Sequence, residues 1–167
     1  MSKGDSGHFS GTGGGSQPYA ETYSVISHEM QKDKKDADIY NSKTGYFKNP
    51  TAVSIENAIQ GNRILIDGKR PDGPLTYVMN KSGNIIIGKR NNPNNPKKRS
   101  PHPTLIGGNN PKVQCAGMIH FHKGKIKSVD NHSGHFRPNK KSMEKVEKAL
   151  NNLYQKHPEV FDKKWRE

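Results

Sequence analysis

The chain predicts an α+β fold: a small antiparallel sheet of about four to five strands, N-terminal helices, and a C-terminal helix packed on the sheet. Three observations predict it. Residues 75–79 and 85–87 are β-rich runs joined by the turn sequence Lys81-Ser82-Gly83-Asn84. Residues 113–122 and 125–129 repeat the pattern around Lys123-Gly124. Residues 140–155 then switch to helical period, with Met143, Val146, Leu150 and Leu153 on one face and Lys and Glu on the other.

The remaining elements follow from local chemistry. Residues 1–18 are Gly/Ser-rich and read as a flexible linker, of the kind that precedes a domain at the end of a longer chain. Residues 19–69 read as a helical N-terminal segment. Tyr23, Ile26 and Met30 have helical spacing within 19–36. Asn49-Pro50-Thr51 opens a second helix carrying Val53, Ile55, Ala58 and Ile59, with Gly61 as its stop, and 64–66 is a short strand. The main domain, 70–167, begins with the turn chemistry of Arg70-Pro71-Asp72-Gly73-Pro74. Residues 89–101 hold three prolines among basic residues and read as a loop. Pro138 and Asn139 start and cap the last helix, His157-Pro158 ends it, and Val160, Phe161 and Trp165 form a terminal packing segment.

Composition narrows the function. Only 29% of the 167 residues are hydrophobic, so the core is small. With 28 Lys+Arg against 15 Asp+Glu, the formal charge is +13, which favours polyanionic partners: RNA first, and an acidic protein covering the basic face second. Membrane insertion is not expected, since no apolar run approaches a span. A single cysteine, Cys115, excludes a disulfide scaffold; mid-strand among small residues, it reads as a buried structural thiol.

Five of the eight histidines lie within residues 101–138. His102, between Pro101 and Pro103-Thr104, is expected in extended backbone. His135 sits in Ser133-Gly134-His135-Phe136-Arg137-Pro138, where Gly134 would allow a tight turn. Two imidazoles can share general-base and general-acid roles in cleaving RNA through its own 2′-OH, with no cofactor or metal. Thr104, Ser133 and Arg137 are donors for the phosphorane oxygens, alongside Lys89 and Arg90. Lys89, Arg90, Lys97, Lys98 and Arg99 form the candidate nucleic-acid-binding set, since the basic stretch runs directly into His102. The bland alternatives are loop histidines with structural hydrogen bonds and a solvated charge run. A weaker metal reading joins His120 and His122, which flank Phe121 on a strand and so share a face, with His132.

The run HPTLIGG, followed by VQCAGMIHF, GKI, SVDN and SGHFRP, resembles C-terminal toxin domains of bacterial polymorphic toxins. It is also similar to a motif of plant IQ-motif calmodulin-binding proteins, in which Tyr is common where Phe136 stands. The likeness covers about residues 70–150, and its polar positions are His102, Thr104, Ser133, His135 and Pro138. It implies a secreted antibacterial effector, exported as part of a larger protein, acting in the target-cell cytoplasm and held by an acidic cognate immunity protein. The leading expectation is then a metal-independent ribonuclease toxin, with tRNA or another structured RNA as substrate. The alternatives are a metal-dependent nuclease, a non-enzymatic nucleic-acid-binding module, and an ADP-ribosyltransferase-like toxin. Against the last, every glutamate after Glu56 (Glu144, Glu147, Glu159 and Glu167) falls in helix or tail rather than on a strand.

Overall fold

The computed structural model describes residues 4–5, 16–92 and 95–166. Most of the expected 1–18 linker lies outside the described residues. The fold is mixed α+β as expected: a five-stranded antiparallel sheet, a short N-terminal helix and a long C-terminal one. We label the helices α1 (Ser27–Asp33) and α2 (Met143–Lys156). The sheet strands are β1 (Val53–Ser54), β2 (Gly73–Met79), β3 (Ile85–Gly88), β4 (Cys115–His122) and β5 (Lys125–Asp130). Their spatial order is β5-β4-β2-β3-β1, with Gly4–Asp5 pairing in parallel outside β5.

Both expected hairpins form. Asn80 organises the first turn, its Oδ1 accepting from the amides of Ser82 and Asn84. In the second, Lys123 and Gly124 both have positive φ, 50° and 81°, the conformation a two-residue turn needs to match strand twist. A bulge between His120 and Phe121 shifts the β4–β5 register. Strands β2 and β4 pair from Cys115↔Met79 to Phe121↔Gly73.

Period-two alternation divides the side chains between two cores. Leu75, Tyr77 and Met79 of β2 and Cys115, Ile119 and Phe121 of β4 face α2, where they meet Met143, Val146, Leu150 and Leu153. Trp165 and Phe161 of the tail close this core. The opposite face packs Val78 and Ala116 against Tyr23, Val25, Ile39, Tyr46, Leu105 and Phe136. It is this second face, roofed by the N-terminal segment, that carries Thr76, Met118 and His120.

Three local expectations change. The helix expected over 19–36 is confined to α1, because Tyr23–Ser24 is extended and pairs with Lys112–Val113. The helix expected after Asn49 is instead β1, a 3₁₀ turn Ile55–Ala58 and the strand Ile59–Gln60, since the open edge of β3 takes Val53 opposite Ile87. The Pro-rich stretch after Lys89 forms a two-stranded ladder, Asn91–Asn92 with Asn95–Arg99, outside the main sheet, where a missing proline N–H is tolerated. The helix start is as read: Asn139 Oδ1 accepts from the Lys141 amide at 2.9 Å, capping a 3₁₀ turn that runs into α2.

Gly117 is the tightest point of the sheet. A Cβ there would collide with the Asp130 carbonyl and the Asn131 Cα, both backbone. Gly117→Ala is therefore expected to lower stability by about 3 kcal/mol or more, because neither neighbour is a side chain that can rotate away. Urea denaturation midpoints measure this; a variant within about 0.5 kcal/mol of wild type would refute the packing argument.

Candidate active site

A cavity of about 400 Å³ opens on the second face of the sheet, with His102, His132 and His135 in its wall. Thr76 and Met118 form its floor from β2 and β4, and Arg90 and Ser100 close one side. Two loops deliver the histidines. His102 opens a 3₁₀ turn, His102–Leu105, rather than the extended backbone expected of it; Pro101 before it is the extended residue. Thr104 holds that turn, its amide and hydroxyl both donating to the Pro101 carbonyl. His135 lies on the loop between β5 and α2.

The ring of His102 is buried, and its Nε2 stands 2.7 Å from the Gly117 carbonyl. A carbonyl only accepts, so Nε2 carries the proton and Nδ1 is left as the ring's basic nitrogen. Burial lowers the His102 pKa to about 4, outweighing the opposite pull of the Gly117 carbonyl. At neutral pH the ring is a neutral base.

His135 is oriented from the other direction. Its Nε2 is 2.9 Å from Asp33 Oδ2, at the end of α1. The same carboxylate oxygen accepts the Tyr46 hydroxyl at 2.6 Å. Burial, and then the bond to Asp33, push the Tyr46 hydroxyl far above its ordinary range, so it stays a donor. A carboxylate behind an imidazole fixes its tautomer and orientation. Asp33 belongs to the charged run that ends the first helix and carries no motif; nothing in the sequence connects it to a histidine 102 positions away.

A second buried carboxylate, Asp130, sits beneath the pocket. Its Oδ1 accepts the amides of Met118 and His132, and its Oδ2 meets His120 Nε2 at 2.9 Å and His132 Nδ1 at 3.6 Å. Burial pushes this carboxyl up, but the bonds from His120 and the two amides prevail and hold it below its usual range. His122 turns elsewhere, to Asp72 at 3.8 Å. Among the described residues no group of three or more His, Cys, Asp or Glu is arranged to hold a metal ion.

The other candidates divide. Arg90 lines the pocket. Lys89 pairs with Asp67 at 3.2 Å. The Ser133 hydroxyl, buried, accepts the Phe136 amide and stabilises the loop from within. Arg137 adopts φ 43°, its amide bonded to the Ser133 carbonyl and its own carbonyl to the Gln17 amide. Thr104, Ser133 and Arg137 thus shape the loops without lining the pocket. Gly134 has φ outside the left-handed region and open space around it, so the turn does not require glycine there. Lys97, Lys98 and Arg99 lie on the outer ladder, and their side chains fall outside the described residues. Cys115 is buried, 3.7 Å from the Tyr77 hydroxyl, and burial pushes its thiol up to about 12.

His102 links stability to pH. An unfolded chain protonates this histidine near 6.5, the fold only near 4. Between those values the unfolded chain binds more protons, so stability is complete above about pH 6.5 and falls as pH drops towards 4, by up to about 3 kcal/mol. His102→Gln keeps a donor for the Gly117 carbonyl and cannot titrate, so its urea midpoint should vary less with pH across that window. Equal pH dependence in the two proteins would refute the assignment.

Residues 57–143, just over half of the chain, match the family model described as the IQ motif-containing protein middle domain. The match accords with the plant IQ-motif likeness of the sequence and says nothing of bacterial toxins. No curated protein and no solved structure matches the chain. Among the described residues no helix is long and apolar enough to cross a membrane. The matched region contains His102, Asp130, His132 and His135, but Asp33 and Tyr46 precede it. By its match to that model, the chain belongs to the IQ motif-containing protein middle domain family.

Proposed function

We propose that the histidine pocket is the catalytic centre of a metal-independent endoribonuclease. The observation that carries this reading is that His102 and His135 line one cavity with Arg90, their ring nitrogens fixed by opposite partners, a carbonyl and a carboxylate. That opposition supports a division of roles. His102, neutral and with Nδ1 unprotonated, accepts the proton of the RNA 2′-OH. The 2′-oxygen bonds to phosphorus and the P–O5′ bond breaks. His135, backed by Asp33, gives its proton to the departing 5′-oxygen. The products are a 2′,3′-cyclic phosphate and a 5′-OH. Arg90 neutralises charge on the phosphorane oxygens. The +13 charge supplies the long-range attraction to RNA.

The biological setting we infer is an antibacterial effector, secreted within a larger protein, that acts in the target-cell cytoplasm and is neutralised by an acidic immunity protein. The support is the SGHFRP-type motif together with the excess of basic residues.

Purified protein incubated with total RNA in EDTA should cleave it and leave cyclic phosphate ends. His102→Ala and His135→Ala should each lower the rate by about 10²- to 10⁴-fold. Asp33→Asn should cause a smaller loss, because it leaves the ring in place and alters what holds it. Intact RNA with the wild-type protein, or full activity in both alanine variants, would overturn the reading. Expression in a bacterial cytoplasm should arrest growth, and His135→Ala should relieve the arrest; equal growth with either protein would remove the effector setting.

A further inference from the structure

A second cavity, of about 420 Å³, adjoins the histidine pocket and shares Ser100 with it. Thr104, two residues beyond His102 on the same 3₁₀ turn, lies in its wall, so the two cavities are neighbours along that turn. Its other side is formed by Phe47 and Lys48, with Asp38 and Ile39 facing the same space.

Phe47 is 43% exposed, one of two large apolar side chains left so open among the described residues. Its backbone, by contrast, is fixed. The Phe47 amide donates to the Ile39 carbonyl, Tyr46 and Gly108 exchange both of their backbone hydrogen bonds, and the Asn49 amide donates to the Thr104 carbonyl. Gly45 permits this arrangement, since a Cβ there would enter the backbone of Gly108 and Asn109. An open aromatic ring on a backbone segment held by these bonds, with an exposed lysine next to it, combines a stacking surface with a phosphate contact. This is the pairing by which proteins hold single-stranded nucleic acid.

We propose that this cavity is a nucleobase subsite: the base of a nucleotide flanking the scissile phosphate stacks on Phe47, and its phosphate meets Lys48. The proposal rests on the reading of the adjacent pocket as a phosphodiester-cleaving centre. It adds that cleavage requires single-stranded RNA at the flanking position, because a base held in a duplex cannot stack on a protein ring.

Two measurements test it and separate its failure from that of the catalytic reading. In the first, Phe47→Trp is titrated with 2′-O-methyl hexa-adenylate, which lacks the nucleophilic hydroxyl. The native Trp165 is fully buried and gives a constant background. Quenching of the new indole is expected, and Lys48→Ala in that protein should reduce the salt slope of binding by about one phosphate contact. In the second, Phe47→Ala in the otherwise native chain should raise KM for a single-stranded RNA roughly tenfold and leave kcat within about twofold. Quenching with no RNA cleavage by the wild-type protein would leave the subsite standing and remove the catalytic reading. Cleavage with no quenching and an unchanged KM in Phe47→Ala would remove the subsite alone.

Discussion

The structure depends on the close approach of β4 to the end of β5 at Gly117. The absence of a side chain there lets the Asp130–Asn131 backbone lie against the strand. Three consequences follow from that contact. The Tyr77 hydroxyl reaches across to the Asp130 carbonyl at 2.6 Å, joining the α2-facing core to the site. The Asp130 carboxylate turns back onto β4, accepting the Met118 amide. The Gly117 carbonyl meets the His102 ring and sets its tautomer. One missing methyl group thus positions both the His102 ring and the carboxylate beneath it.

The two buried carboxylates have different tasks. Asp130 is saturated by bonds from its own hairpin and loop, from Met118, His120 and His132, so its charge is balanced locally and its role is to fix geometry. Asp33 arrives from a separate part of the chain and accepts from Tyr46 and His135. A buried carboxylate with partners removed is costly, on the order of 3–5 kcal/mol when one member of a pair is lost. The energetic need to satisfy Asp33 is therefore the same need that orients His135.

Legibility from sequence followed the range of the forces involved. The two hairpins and α2 were readable because turn residues and side-chain period act within a few positions, as Lys123-Gly124 and the stripe from Met143 to Leu153 do. The segments before residue 64 were not, because their state is decided by distant partners. Val53 pairs with Ile87 across the sheet edge, and the Tyr23 hydroxyl bonds to Ser142, 119 positions away. In the pocket, His102, His135 and Arg90, singled out by their Pro, Gly and basic neighbours, come together in one wall. Thr104 and Ser133 bear the same marks, yet their hydroxyls bond to backbone within their own turns. Local side-chain to backbone bonding of that kind is the ordinary alternative role of such residues. Asp33 left no trace because it lies in a charged run that resembles a solvated face.

The site is consequently a joint product of two parts of the chain. The region matched by the family supplies β2 to β5, the two histidine loops and Asp130, whereas the residues before it supply β1, Asp33, Tyr46 and the docking that brings them there. That docking is made largely by backbone bonds to the His135 loop: Ile26 donates to the His135 carbonyl, and Gln17 donates from its amide and side chain to Arg137 and Phe136. Backbone contacts of this kind constrain shape more than residue identity, so the roof can be held while its composition varies. The carboxylate is different. An acceptor at the end of α1 completes the hydrogen bonds of both Tyr46 and His135, and that requirement ties the N-terminal segment to the orientation of a pocket side chain rather than to packing alone.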